Sequence, residues 1–269
     1  MISSYETEKK AERSAGGTIR SVEKVIDILE LLCQESPGLP LSELAGRLDL
    51  NASTAHHLLA TLKARGLVTQ DERSKAYRID FRLVSMINRF LSGTDLYPAG
   101  IGPVEALRDQ SGETSYLTAF QGQGVTGIIT LTGARPVQAR RVQRQGQSST
   151  HSTATGKIYL AYVLKGGAAE FLHGREMVAF TPHTITDPAL LLAELDVVRE
   201  RGYALDSEED YLGVECIACP VFDASGVCVA SVSISYPLAP AERTAELIAL
   251  VTEAATRISA NLGAAPLRP

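Results

Sequence analysis

No part of this 269-residue chain reaches the roughly 18 uninterrupted apolar residues a membrane span needs. Its opening, Met1 to Gly17, is polar rather than a basic region leading into an apolar block, which speaks against a secretory leader. Cysteine is scarce: Cys33, Cys216, Cys219 and Cys228, three of them crowded into one apolar stretch, do not make a disulfide framework, and a reducing cytoplasm is expected. Cys216-x-x-Cys219 has no second Cys-x-x-Cys to answer it. An odd separation also puts its two sulfurs on opposite faces of a strand, whereas a structural zinc wants four converging ligands. The cysteines read as small apolar fillers, and neither metal nor cofactor is expected. Internal repeats and a Gly-x-Ser-x-Gly nucleophile elbow are missing too.

What is present is ordinary for a globular protein, with 45% hydrophobic and 21% charged residues, and the length exceeds the usual single domain. A net charge of −5 argues against a nucleic-acid partner only until the charge is resolved along the chain. From Asn51 to Arg82 the six cations Lys63, Arg65, Arg73, Lys75, Arg78 and Arg82 face three acids, Asp71, Glu72 and Asp80, a net of +3. That division suits a DNA-binding head on an acidic body.

Residues 1–17 read as a disordered arm. Val22, Val25, Ile26, Leu29 and Leu32 then form the stripe of an amphipathic helix that stops before Ser36-Pro37-Gly38. Leu41 to Leu48 reads as a second helix with Leu44, Ala45 and Leu48 inward. Asn51 caps a third, which runs to about Arg65 and is closed by Gly66. Leu67 to Gln70 and Ala76 to Ile79 bracket a polar tip, a β-hairpin. Phe81 to Leu91 is again helical. Beyond it the pattern predicts a helix at Pro103 to Gln110, then strands Thr114 to Gln121, Gly127 to Thr132 and Val137 to Val142. Helices Thr153 to Leu164 and Pro188 to Arg201 follow, then strands Gly213 to Phe222 and Val227 to Tyr236 and a last helix Ala241 to Leu262. Strands and helices mixed on this scale predict an α+β layer, an antiparallel sheet covered by helices.

The two short helices joined at Asp49-Leu50 fit a helix-turn-helix, whose second helix enters the major groove. Asp49 tolerates the left-handed conformation that such turns often give to glycine. On the third helix Ala55, Leu58, Leu59 and Leu62 mark the buried side. Ser53, His57, Ala60 and Ala64 lie opposite, flanked by Thr54 and His56. Asn51, Ser53 and Thr54 are candidate donors to phosphates or base edges, and His56 and His57 the longest side chains toward the groove. Arg73 and Lys75 at the hairpin tip are candidate wing contacts. A merely solvated face is the plain alternative for all seven.

The runs Ser21-Val22-Glu23-Lys24-Val25-Ile26-Asp27-Ile28-Leu29, Leu41-Ser42-Glu43-Leu44-Ala45, Ser53 to Leu62 and Gly66-Leu67-Val68 resemble the head of IclR-type regulators. So do His151-Ser152-Thr153-Ala154-Thr155-Gly156-Lys157, and Gly213 to Asp223 followed by Gly226 and Ser231 to Ser235. The resemblance spans roughly Ile19 to Leu262. It implies a winged helix-turn-helix at 18–80, a linker helix at 81–97 and a GAF-like α/β effector-binding domain at 98–265. It also implies homodimers or homotetramers on partly palindromic operators, acting as repressor or activator. Two positions depart from the family pattern, Ala52 where a cation is common and His57 where Arg is common. Both remove fixed charge from the reading helix, so pH-sensitive binding is expected.

In the C-terminal half, Asp223 to Gly226 reads as a tight turn. If Phe222 pairs with Val227, then Cys216, Ala218 and Pro220 share a face with Ser231, Ser233 and Ser235, while Cys219, Val221 and Cys228 join Ala230, Val232 and Ile234 on the other. The hydroxyl-rich face is assigned to a ligand cavity and the apolar face to a helix-covered core; an exposed sheet face is the alternative for the serines. Ala154-Thr155-Gly156-Lys157 opens a helix whose free N–H groups suit a carboxylate but lack the glycines of a phosphate-binding loop. Lys157 is a ligand contact or a plain surface cation. Tyr116 and Arg140 lie on strands bordering the cavity, Arg140 either pairing an acidic effector or exposed. The resemblance itself implies effector roles for Ala154, Thr155, an acid near Asp210, Ser233 and Ser235. Small or aromatic carboxylic acids are the expected effectors. The rivals are a constitutive DNA binder with a vestigial sensor and a hydrolase using Ser152 or Thr153 with His151. Sequence neighbours at a helix start rarely form a nucleophile and base, and a non-enzymatic regulator is the reading carried forward.

Overall fold

Helix α1 (Arg20–Gln34), α2 (Leu41–Arg47) and α3 (Ala52–Ala64) are followed by the hairpin strands β1 (Val68–Gln70) and β2 (Tyr77–Ile79) and by α4 (Phe81–Ser92). The computed structural model describes residues 19–35, 37–92, 95–121, 124–134, 149–164 and 167–265. The predicted arm at 1–17, the predicted strand Val137 to Val142 and Arg140 lie outside the described residues. The chain divides into two compact units, the first ending at Phe90 and the second beginning at Leu91.

In the first unit, Ile28, Leu32, Leu44, Leu59, Leu62 and Val68 close one small core. The α2–α3 turn depends on Asp49, whose φ of +49° is left-handed and lets Leu50 N–H reach Ala45 O at 2.8 Å. Asn51 then starts α3 by accepting from Thr54 N at 2.7 Å, satisfying one of the helix's orphan donors. Gly66 ends it at φ +67°, the conformation glycine adopts most cheaply, with Leu67 N–H returning to Leu62 O at 2.9 Å. The hairpin pairs Val68 with Ile79 and Thr69 with Arg78. One prediction needs correction. The buried side of α1 is built on Ile28 and Leu32, with Val25 and Leu29 half-buried beside them, while Val22 and Ile26 are 51% and 49% exposed. Helix α1 is apolar at enough positions to offer two stripes, and the partners α2 and α3 choose between them.

The second unit is a five-stranded antiparallel sheet of order β4-β3-β7-β6-β5. Its strands are β3 (Thr114–Gln121), β4 (Gly124–Leu131), β5 (Ala204–Ser207), β6 (Val214–Phe222) and β7 (Cys228–Pro237). Helices α5 (Leu96–Ser111) and α9 (Ala241–Asn261) cover one face, through Val104, Leu107, Leu247, Val251 and Ile258 packed on Leu117, Ile217, Val232 and Ile234. Helices α6 (Ala154–Tyr162) and α8 (Pro188–Arg201) pack on the other, through Ala154, Ile158 and Val198 against Ala204, Ala218 and Cys228. A five-residue helix, α7 (Ala168–Leu172), packs with α8. Neither α7 nor β5 was expected from the sequence.

Two departures have a physical reason. The helix predicted from Pro103 begins seven residues earlier, at Leu96, with Pro103 in its interior. Proline cannot bond the carbonyl four residues back, and here Asn261 Nδ2 donates to that carbonyl, Ala99 O, at 2.8 Å. On β6 and β7, Phe222 pairs with Cys228 rather than Val227, and a register shift beside Val221 leaves Val221 opposite Ala230. The extra residue turns Cys228 onto the face of Ala218 and Phe222, away from Cys219 and Val221 with which it was grouped. Elsewhere the predicted faces stand, because Cys216–Ser235, Ala218–Ser233 and Pro220–Ser231 are direct cross-strand pairs.

Candidate DNA interface and effector face

On α3 the buried residues are Ala55, Leu59 and Leu62, with Leu58 half-buried. Ser53, His56 and His57 are exposed and Thr54 is half-buried. The rings of His56 and His57 stand 6.0 Å apart, and Thr61 Oγ1 donates to His57 O at 2.9 Å. Asn51 is exposed, with its side-chain oxygen committed to the cap. Asp71 organises the hairpin tip, accepting from Arg73 N at 3.0 Å and from Ser74 N and Oγ at 2.8 and 2.9 Å. These bonds, the Ser74 N–H first, hold its carboxyl below the usual range. The tip thereby presents Arg73 and Lys75 to solvent, Lys75 at φ +56°.

The second unit gathers five of the ten predicted effector residues, Tyr116, Cys216, Pro220, Ser233 and Ser235, on one sheet face. Asp206, Cys216, Ser235 and Thr114 form one rung across four strands; Ala204, Ala218, Ser233, Tyr116 and Thr130 form the next; Pro220, Ser231 and Thr118 the one after. This face is buried, since Ser231, Ser233, Ser235 and Tyr116 are all under 9% exposed. The N-terminal end of α6 sits on it, with Thr155 Oγ1 donating to Ser233 Oγ at 3.4 Å and Cys216 Sγ 3.2 Å from Ser235 Oγ. Ser231 Oγ is buried without a hydrogen-bond partner among the described residues.

Not all backbone donors at the start of α6 are open. Thr153 caps the helix, its Oγ1 accepting from Gly156 N at 3.1 Å, and among the described residues the N–H groups of Ala154 and Thr155 in the first turn have no partner. Gly156 itself is fixed by sterics, because a Cβ there would stand 2.1 Å from Thr150 O.

Lys157 is no surface cation. It is 1% exposed, and its Nζ donates to Leu205 O at 2.8 Å and to Glu209 Oε1 at 2.5 Å. The sequence pattern had not shown β5, and so offered nothing to bury this lysine. The missing strand also hid Asp206, the carboxylate directly opposite Cys216 on the hydroxyl face. Asp206 is 3% exposed, and burial pushes its carboxyl up to about 7 even though it accepts from Glu209 N and Asp210 N. Asp210, the predicted acid, lies in the turn after β5 and accepts from Ser152 Oγ at 3.2 Å. The signal for β5 was the short apolar run Tyr203-Ala204-Leu205 after Gly202, which closes α8 at φ +78°.

His151 is buried, stacked on Phe180 at 5.7 Å, with Nε2 3.0 Å from Val178 O. Burial lowers its pKa, favouring the neutral ring. Ser152 Oγ bonds Ser149 O and Asp210, so neither group is aimed at the other as base and nucleophile. Cys216 and Cys219 stand on opposite sheet faces, and burial pushes the Cys219 and Cys228 thiols up to about 12. Among the described residues no helix is long and apolar enough to cross a membrane.

A helix-turn-helix with a hairpin wing, followed in the same chain by a helix-covered sheet, is the build of a DNA-binding regulator with a second regulatory unit. The model of the IclR helix-turn-helix domain matches residues 21–72, and that of the bacterial transcriptional regulator IclR C-terminal domain matches residues 88–260. The HTH-type transcriptional regulator KdgR of Escherichia coli K12 is 34% identical over 249 residues, covering 91% of this chain and 94% of that protein. The glycerol operon regulatory protein of Streptomyces griseus is 34% identical, covering 91% and 97%. The crystal structure of Thermotoga maritima IclR superposes with a TM-score of 0.75 at 29% identity, covering 91% of this chain and all of that one. An IclR homolog from Microbacterium hydrocarbonoxydans, complexed with 4-hydroxybenzoate, shares the fold with a TM-score of 0.78 at 22% identity, covering 90% and 98%. The chain belongs to the IclR family of bacterial transcriptional regulators, and it is a DNA-binding transcriptional regulator.

Proposed function

We propose that this regulator reads its operator with the outer face of α3, through Asn51, Ser53, Thr54, His56 and His57, while Arg73 and Lys75 of the wing hold phosphate. It acts in the cytoplasm as a homodimer or homotetramer, without catalysis, repressing or activating its target. A small or aromatic carboxylic acid bound on the hydroxyl face of the sheet shifts the protein between two states of unequal DNA affinity. The carboxylate is received by the open N–H groups of Ala154 and Thr155 with the hydroxyls of Thr155, Ser233 and Ser235. Tyr116, Gly156, Cys216 and Pro220 shape the site, Asp210 braces the turn beside it, and Arg140 supplies charge.

The observation that carries the effector reading is the buried row of hydroxyls capped by a helix N-terminus, since a fold gains little by burying so many polar groups without a ligand to meet. Asp206 joins the site on the same ground: with burial holding its carboxyl at about 7, its neutral form, which can donate to a ligand oxygen, is accessible near neutral pH. The 4-hydroxybenzoate held by the Microbacterium homolog makes hydroxylated aromatic acids the first ligands to test. The test is binding of the purified protein to its own upstream DNA, titrated in salt, with and without such acids. An acid that changes operator affinity, and loses its effect in Ser233→Ala, supports the reading. Thermal stability and DNA affinity blind to every acid offered favour a constitutive binder with a vestigial sensor.

A further inference from the structure

Lys63, Arg65, Arg73, Lys75, Arg78 and Arg82 are all exposed, and among the described residues none has a carboxylate within ion-pair distance. Elsewhere among the described residues most cations are matched, Arg20 and Lys24 on α1 being the exceptions. Arg47 on α2 holds both Glu35 and Glu43. In the second unit Arg108, Lys157, Arg199, Arg201, Arg243 and Arg257 each have an acid, and Arg175 lies 4.2 Å over the Phe171 ring. Exposed ion pairs add little stability, so folding does not require six cations to stay unmatched. Phosphate binding does favour it, because a cation already neutralised by a neighbouring carboxylate has less to gain from a duplex.

Their placement is ordered. Lys63 Nζ reaches Gln70 Oε1 at 3.5 Å, and Gln70 Nε2 donates to Lys75 O at 3.0 Å, tying the end of α3 to the hairpin tip. Arg78 pairs with Thr69 on the outer side of the hairpin, opposite the buried Val68 and Tyr77. Arg82 runs along the α3–β1 turn, its Cδ 3.0 Å from where a Cβ on Gly66 would stand, next to Arg65. The nearby acids are largely engaged locally: Asp71 by Arg73 and Ser74, though it also feels the Arg78 charge, and Asp80 by the N–H of Arg82 at 2.9 Å. The arc thus runs from the base of the hairpin to its tip. The first turns of α3, by contrast, carry no Lys or Arg before Lys63.

We infer that Arg65, Arg78 and Arg82, beyond the predicted wing contacts, grip DNA phosphates, and that the uncharged outer face of α3 supplies sequence preference without fixed charge. Affinity and specificity are then carried by different segments of one head. This rests on the assignment of α3 as the reading helix.

The test measures operator affinity against salt concentration for the full chain and for Arg65→Gln, Arg78→Gln, Arg82→Gln and the triple variant, with Arg47→Gln as control. For every phosphate that a head no longer neutralises, the slope of log affinity against log salt should fall by about 0.9, and in the triple variant by about three times that. Preference for operator over scrambled duplex should persist, Arg47→Gln should keep the wild-type slope, and Arg→Lys at the three positions should restore it, which also excludes misfolding as the cause. A triple variant with the wild-type slope overturns the assignment of these three residues alone. So does an Arg47→Gln variant whose slope falls as far, since net charge rather than position would then be acting. Wild-type protein that ignores every duplex at low ionic strength sinks the reading of α3 itself.

Discussion

The two units place their key charges differently. In the first, the cations from Lys63 to Arg82 stand exposed along the end of α3 and its hairpin, with no carboxylate within ion-pair distance among the described residues. In the second, one ion pair is carried into the interior, Lys157 and Glu209 meeting at 2.5 Å. A charge meant for a partner must stay solvated and free of local acids, whereas a charge that organises a fold has to be desolvated and satisfied on the spot.

Lys157→Met gives the hardest blow to that comparison. Removing one partner leaves Glu209 buried and uncompensated, and a destabilisation of roughly 3–5 kcal/mol is expected in urea unfolding. Arg65→Gln in the head should stay within about 0.5 kcal/mol of wild type. Equal effects would erase the distinction between the units.

Asp206 sharpens it through pH. Its carboxyl is held at about 7 in the fold and falls near 3.9 in an unfolded chain, so the folded protein keeps a proton that the unfolded chain releases. That contribution is complete below about pH 4 and is lost as pH rises through about 7, a change on the order of a few kcal/mol. Asp206→Asn should flatten stability over this window, as read by urea midpoints at pH 5 and 7.5. A decline in the variant as steep as in wild type would place the proton elsewhere.

Smaller effects belong to the head. His57→Ala should weaken specific operator binding by about 1–3 kcal/mol without altering unfolding, if the ring reads a base; unchanged sequence preference would remove it from the reading face. Asn51→Ala removes the cap bond to Thr54 and should cost about 1 kcal/mol of stability. An unshifted midpoint would mean that solvent replaces the cap.

How much was legible follows from how local each feature is. Asp49 in the left-handed turn, Asn51 as cap, Gly66 as terminator and the inward leucines of α3 are decided within a few residues, and all stand in the structure. The sheet faces of β6 and β7 were readable because a strand repeats every two residues, so a register slip of two leaves every side chain where it was. The bulge at Val221 broke that parity for Cys228, and no local signal announced it. The inward side of α1 went astray for a related reason: Val22 and Ile26 fit a helical stripe as well as Ile28 does, and only packing against α2 and α3 ranks them.

The order of residues by itself determined the helix-turn-helix, the cation-rich hairpin and the pairing of an apolar with a hydroxyl-rich strand face, since each rests on turn chemistry or periodicity inside one segment. Tertiary structure alone decided that Lys157 is buried on Glu209 and that Asp206 faces Cys216 across β5 and β6. Those pairings join residues distant along the chain or set by strand register, and the burial of a charge is settled by what the fold brings to meet it.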